Sequence, residues 1–266
     1  MIENSFLMES KLNNCIGGIY FPAGILNNHN DFFIDTYNHL KEVDYLCFFD
    51  SRGSSLDNDK TKTFTGLLIE YFKTFKKTFF VICRPLNLTV FFSLFNFLNS
   101  NDIRAKNLIT NMGFVDFTPK KQEITEDILF QKKILFDDID CLSVNLEKYR
   151  LSSGEHELLT YIDINPCANA FVNILEKNFE NIYLLETPEF ITEYSFSRKR
   201  PDAFYAQLKE TNIFINRISS FSDKIVIVPS PNVPDDYLSF SYDGVHFTES
   251  GHISVFQKIA EKVKCE

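Results

Sequence analysis

The chain has 266 residues, 44% of them apolar, enough for one large α/β domain, or two small ones, with a full core. A formal net charge of −9 and an isoelectric point near 5.1 argue against a nucleic-acid or anionic-membrane partner, which would need a basic face. With 29 Phe and no Trp, the phenylalanines are read as core filling rather than as a ligand box.

In chain order, residues 1–42 form an N-terminal extension that opens without a basic-then-apolar leader pattern, and residues 31–43 read as an added helix. The apolar run 45–49 predicts a first buried strand, closed by the polar turn Asp50-Ser51-Arg52-Gly53. Residues 63–76 carry Phe64, Leu67, Leu68, Tyr71, Phe72 and Phe75 at helical spacing. A second strand is expected at 78–83, a helix at 88–99 and a third strand at 108–112, which contains Asn111. Arg84-Pro85 divides the apolar segments 79–83 and 90–98, and both are too short to span a bilayer. Hence no membrane insertion is expected, and a reduced, cytoplasmic setting is the default.

Residues 115–178 exceed what a simple crossover needs. They hold a helix at 125–136, a strand at 142–146 and a turn-rich stretch at 152–157, and are read as an insertion acting as a lid. A helix at 167–177 and a fourth strand at 182–185 follow. The run Arg198-Lys199-Arg200 reads as a solvated helix start, leading into a helix at 201–218. A fifth strand at 224–228 and a closing helix at 250–264, with Ile253, Phe256, Ile259, Ala260 and Val263 on one stripe, complete the chain. Strands alternating with helices predict one domain over 1–266, with a parallel sheet covered on both faces. Ligands of such a sheet bind at the C-terminal strand ends. Asp50-Ser51, Asn111 and the segment before the last helix all fall on that edge.

That last segment contains Asp243-Gly244-Val245-His246. An acid three residues before a histidine, on a turn, can fix the imidazole tautomer and stabilise its protonated form. Ser51, at a strand end facing a helix start, could use backbone amides to steady an oxyanion, or could belong to a merely polar turn. Glu249 and His252 repeat the acid-histidine spacing, but Thr248 is a natural N-cap that puts both inside the first helical turns, where His252 is expected at the surface. His29, His39 and His156 stand singly, and the six cysteines show no CxxC pair and no Cys/His cluster at zinc spacing, so no metal site is expected. There is no Gly-rich phosphate loop after the first strand.

In these blocks the chain resembles the SGNH/GDSL hydrolase family. Asp50-Ser51 matches the family's nucleophile block, with Phe49 in place of its glycine; Asn111 stands where its Asn block falls, and Asp243 to His246 matches its Asp-x-x-His block. The resemblance covers roughly residues 43–264, with 115–178 unmatched. It implies a three-layer α/β/α sandwich with a five-stranded parallel sheet of flavodoxin-like type. It further implies that Ser51 is the nucleophile, His246 the base and Asp243 its orienting acid, with the Ser51 amide and the Asn111 side chain as oxyanion donors. The family's second backbone donor is a glycine after strand two, where this chain reads Cys83-Arg84-Pro85-Leu86-Asn87. The implied activity is that of a serine esterase on a small O-acyl ester, such as an acetylated carbohydrate, without a cofactor. Two alternatives stand beside it: an O-acyltransferase moving an acetyl group to or from a glycan, and a non-catalytic binding domain on the same scaffold.

Overall fold

The structure, a computed structural model, describes residues 7–12, 15–20, 42–53, 60–83, 91, 99, 102, 104–126, 143–151, 154–190, 194–196 and 199–265. The five expected parallel strands are β3 (Glu42–Phe49), β4 (Phe79–Cys83), β5 (Arg104–Thr110), β8 (Asn181–Leu185) and β9 (Ile225–Val228). Their spatial order is β4-β3-β5-β8-β9. In chain order that is second, first, third, fourth, fifth, the doubly wound order whose direction reverses at the first strand.

The N-terminal segment adds two strands to the sheet. β1 (Leu7–Leu12) and β2 (Cys15–Tyr20) pair antiparallel, and β2 runs parallel to β4, so among the described residues the sheet has seven strands. Of the helix expected at 31–43, residues 42 and 43 belong to β3 and the remainder lies outside the described residues. The expected helix at 88–99 also lies largely outside them.

Side-chain alternation along β3 explains the layers. Leu46 and Phe48 face one side, where they join Phe171, Val172 and Leu175 of α2 (Ala168–Asn178) and Phe214, Ile215 and Ile218 of α3 (Asp202–Ser219). Tyr45, Cys47 and Phe49 face the other, against Leu68 and Phe72 of α1 (Phe64–Thr74) and Val255 and Ile259 of α4 (Glu249–Lys262). Each fully buried Phe of this kind contributes about 1.5–3 kcal/mol through removal from water. The helix starts are set by capping: the Thr63 hydroxyl accepts from the Gly66 amide at 3.1 Å and the Thr248 hydroxyl from the Gly251 amide at 3.2 Å.

Within residues 115–178 the expected strand at 142–146 becomes β6 (Ser143–Arg150), and a further strand, β7 (His156–Asp163), pairs with it antiparallel. Gly154 in the connecting turn has a φ of +89°, in the left-handed region that glycine adopts freely. Tyr149 and Leu159 of this hairpin pack on Ala203 at the start of α3. Residues 122–126 are helical, and the rest of the helix expected at 125–136 lies outside the described residues.

Cys47, Cys83 and Cys265 are buried free thiols, but Cys167 is disulfide-bonded. Among the described residues no helix is long and apolar enough to cross a membrane.

Candidate active site

The sheet brings the two halves of the expected constellation together. Ser51 opens a 3-10 turn, Ser51–Gly53, directly after β3 and Asp50. The turn is compact because Gly53 has no side chain: a Cβ there would lie 2.7 Å from Cys83 Sγ and 2.8 Å from Thr65 Oγ1. The Asp243–His246 turn lies between the short turn Tyr237–Ser239 and α4. Its shape is dictated locally. Asp243 Oδ1 accepts from the amides of Val245 at 2.9 Å and His246 at 2.7 Å, and the Ser241 hydroxyl accepts from the Gly244 amide at 2.9 Å. Gly244 has a φ of +78°, and a Cβ on it would meet the Phe196 ring at 2.8 Å.

Asp243 Oδ2 lies 3.0 Å from His246 Nδ1, and His246 Nε2 lies 3.5 Å from Ser51 Oγ. With the carboxylate ionised, Nδ1 carries the proton, which leaves the Nε2 lone pair facing the serine hydroxyl. The 3.5 Å contact is long, as hydrogen bonds of this type commonly are before substrate binds. Tyr242 stacks on the imidazole at 6.0 Å. Burial pushes the Asp243 carboxyl up, but the hydrogen bonds from the His246 ring and from the His246 and Val245 amides outweigh it and hold the group well below the usual carboxylate range. Folding therefore favours the ionised form. The resulting stability is present above the ordinary carboxyl pKa and is lost as pH falls towards the depressed folded value.

Under the serine lies a buried ion pair that the sequence reading missed. Arg52 Nε donates to both oxygens of Asp50 at 2.9 Å, and its Nη2 lies 2.6 Å from Oδ2. Nη1 donates to Thr187 Oγ1 at 2.9 Å, Nη2 to the Asn111 carbonyl at 3.0 Å, and the guanidinium covers the Phe114 ring at 4.5 Å. The amides of Arg52 and Gly53 both donate to Asp50, to Oδ1 and to the carbonyl respectively, so neither serves as an oxyanion donor in this arrangement.

Asn111 follows β5 and packs on the same aspartate. Its Oδ1 accepts from the Asp50 amide at 2.8 Å and its Nδ2 donates to Asp50 Oδ1 at 3.0 Å. Nδ2 has two hydrogens, so a role as oxyanion donor rests on the second one. Residues 84–87, where the resemblance places a further backbone donor, lie outside the described residues.

Arg200 departs from its expected place in a solvated run. Its side chain is 9% exposed, its Nη2 lies 2.7 Å from Asp243 Oδ2, and Nε donates to the Asp243 carbonyl. The Nη2 contact is a close charge pair without hydrogen-bond alignment. Lys199 beside it is exposed, and Arg198 lies outside the described residues.

His252 also departs from expectation. It is fully buried, between the Phe64 and Phe247 rings, and its Nδ1 accepts from the Phe64 amide at 3.1 Å. An amide can only donate, so Nδ1 is unprotonated and the residue serves to tie α4 to the start of α1. His252→Ala is expected to lower stability by roughly 2–4 kcal/mol in chemical denaturation, combining a cavity with an orphaned amide. His252→Asn, which keeps an acceptor, should lose less. Equal stability of the alanine variant and wild type would remove this role. Of the other histidines, His156 starts β7 at the surface, while His29 and His39 lie outside the described residues. Among the described residues no cluster of His, Cys, Asp and Glu is arranged to hold a metal ion.

No protein-family model and no curated protein matches the sequence. Solved structures do match it in fold. TesA superposes with a TM-score of 0.50 at 10% identity, over 83% of this chain and 97% of that one. LAE5, an α/β hydrolase from the metagenome of Lake Arreo, Spain, gives 0.48 at 12% identity, covering 82% and 94%. Axe2-W215I, an acetyl xylan esterase from Geobacillus stearothermophilus, gives 0.45 at 8% identity, covering 85% and 99%. At such identities the likeness is one of fold alone.

Proposed function

We propose that the chain is a serine acyl-ester hydrolase acting on a small O-acyl ester, such as an O-acetylated carbohydrate, through Ser51, His246 and Asp243. The observation that supports it best is the continuous line from Ser51 Oγ through both His246 nitrogens to Asp243 Oδ2, joining segments 195 residues apart. A serine hydroxyl is a weak nucleophile near neutrality and needs a base within reach.

Ser51 Oγ attacks the ester carbonyl carbon while its proton passes to His246 Nε2. The Ser51 amide and the second Asn111 Nδ2 hydrogen steady the oxyanion. As the carbon–oxygen bond to the sugar breaks, His246 returns the proton to the leaving alkoxide, and the acyl group remains on Ser51. Water then attacks that ester, gives its proton to His246 and releases the free acid, and Ser51 recovers its proton. Asp243 stays ionised throughout and stabilises the imidazolium. These steps use no cofactor.

Transfer to a sugar hydroxyl is the second reading. It is favoured by the β6–β7 hairpin, which with Phe204 and Val245 lines an open cavity of about 320 Å³ reaching the residue that precedes His246, room for an acceptor that displaces water.

The test is hydrolysis of a chromogenic acetate ester together with covalent labelling by a fluorophosphonate. Wild type is expected to turn over and to be labelled at Ser51, and Ser51→Ala to do neither. Labelling without turnover, followed by acetyl transfer to added glycans, would establish the transferase. A wild type that is neither labelled nor active would leave a binding domain on this scaffold.

A further inference from the structure

Arg200 enters no step of that scheme, yet it is a tightly held cation at its edge. The guanidinium touches the same carboxylate oxygen, Asp243 Oδ2, that holds His246 Nδ1. Its Nε is bound to the Asp243 carbonyl, and its plane lies over the Phe204 ring at 5.0 Å. Asp243 Oδ1 is already occupied by two backbone amides, so the carboxylate is gripped on both oxygens. We propose that Arg200 is a positioning residue, acting through Asp243 to hold the carboxylate in register with His246. This role rests on the hydrolase reading above.

Two consequences follow from the chemistry. A guanidinium keeps its charge at every working pH, so it offsets much of the field that the carboxylate would otherwise exert on the imidazole. In Arg200→Ala the carboxylate acts on the imidazole unopposed, so the acid limb of the pH–rate profile is expected to move up. Secondly, Arg200 forms part of the wall of two cavities, one of about 360 Å³ lined by Arg150, Tyr194 and Lys199 and one of about 320 Å³ lined by Phe114 and Val245. Truncating it leaves a socket that a small cation can enter from either side.

Other charged groups are nearby. Arg150 pairs with Asp202, and both line the first cavity with Lys199; Arg52 is paired with Asp50 beneath the serine, and Tyr242 covers the imidazole. Among the described residues, the charge contacts to the Asp243 carboxylate come from Arg200 and His246.

The experiment compares wild type, Arg200→Lys and Arg200→Ala on a chromogenic acetate ester across the acid-to-neutral range, with unfolding curves for each. For Arg200→Ala, kcat should fall roughly 10–100-fold with KM little changed. The acid-side midpoint of its pH–rate profile should rise by about one pH unit. Millimolar guanidinium should restore much of the lost kcat in that variant and none in wild type, and Arg200→Lys should fall between the two. A midpoint that stays put, with no rescue by guanidinium, would overturn the proposal even if the rate falls, because that pattern marks a structural role alone. NMR titration of the His246 ring reads the same displacement without turnover. An inert wild type whose His246 midpoint still moves on Arg200→Ala would refute the hydrolase reading and not the coupling, and an unmoved midpoint would refute the coupling.

Discussion

Alanine at position 246 is expected to lower kcat/KM for an activated acetate ester by about 10⁴-fold or more, with the fold intact. His246 Nε2 is the base presented to Ser51 Oγ, and without it the hydroxyl proton has no acceptor aligned with the attack. The ring is partly exposed, with 28% of its side-chain surface accessible, so its removal opens little buried space. Unfolding curves should therefore stay close to wild type, in contrast to His252→Ala, whose loss falls on stability. The pair of variants separates the two histidines that share an acid at the same spacing. Turnover by His246→Ala equal to wild type would remove the triad.

The core strands were legible because each is a short apolar run bounded by turn residues, as in Tyr45 to Phe49 before Asp50. β7 was not, since Glu157, Thr160 and Asp163 break its apolar pattern. β1 carries Glu9, Ser10 and Lys11, and β2 carries Gly17 and Gly18, so neither announces itself as part of a sheet. What brings them into the sheet is the pairing of β2 with β4, Ile19 opposite Val81, which is non-local.

For the candidate site, the spacing of Asp243 and His246 and the strand order that brings Asn111 to the same edge could be read directly. The direction of individual cations could not. Nothing in Arg198-Lys199-Arg200 says which guanidinium turns inward, because that depends on where the Asp243 turn docks. The His252 error lay in which of two equally spaced stripes on α4 was taken as the buried one. The buried set on α4 is Gly251, His252, Val255 and Ile259, so His252 lies on the apolar stripe, while Ile253, placed on that stripe from the sequence, is 40% exposed. A stripe drawn through His252, Val255 and Ile259 satisfies helical spacing equally well, and only the partner surface decides between the two.

Arg52→Met is expected to destabilise the protein by about 3–5 kcal/mol, because it strands Asp50 as an unpaired buried charge. The side chains of Arg52 and Asp50 are only 4% and 2% exposed, so water cannot replace the lost partner. The same substitution cuts the bonds to Thr187 Oγ1 and to the Asn111 carbonyl, which hold β5 and the segment after β8 against the serine turn. Stability and positioning can be pulled apart by removing both charges. Asp50→Asn combined with Arg52→Met leaves no buried ion, and an amide at position 50 can still accept from the Arg52-position backbone N–H as Oδ1 does now. The double variant should regain most of the lost stability in chemical denaturation, since replacing a whole buried pair costs far less than breaking it. Its kcat should nevertheless stay well below wild type, because Asn111 and the Ser51 turn are no longer tied through one guanidinium. A double variant restored in stability and fully active would mean that the pair supports the fold alone. One that is stable but slow would show that the ion pair's contribution lies in holding Ser51 and Asn111 in register.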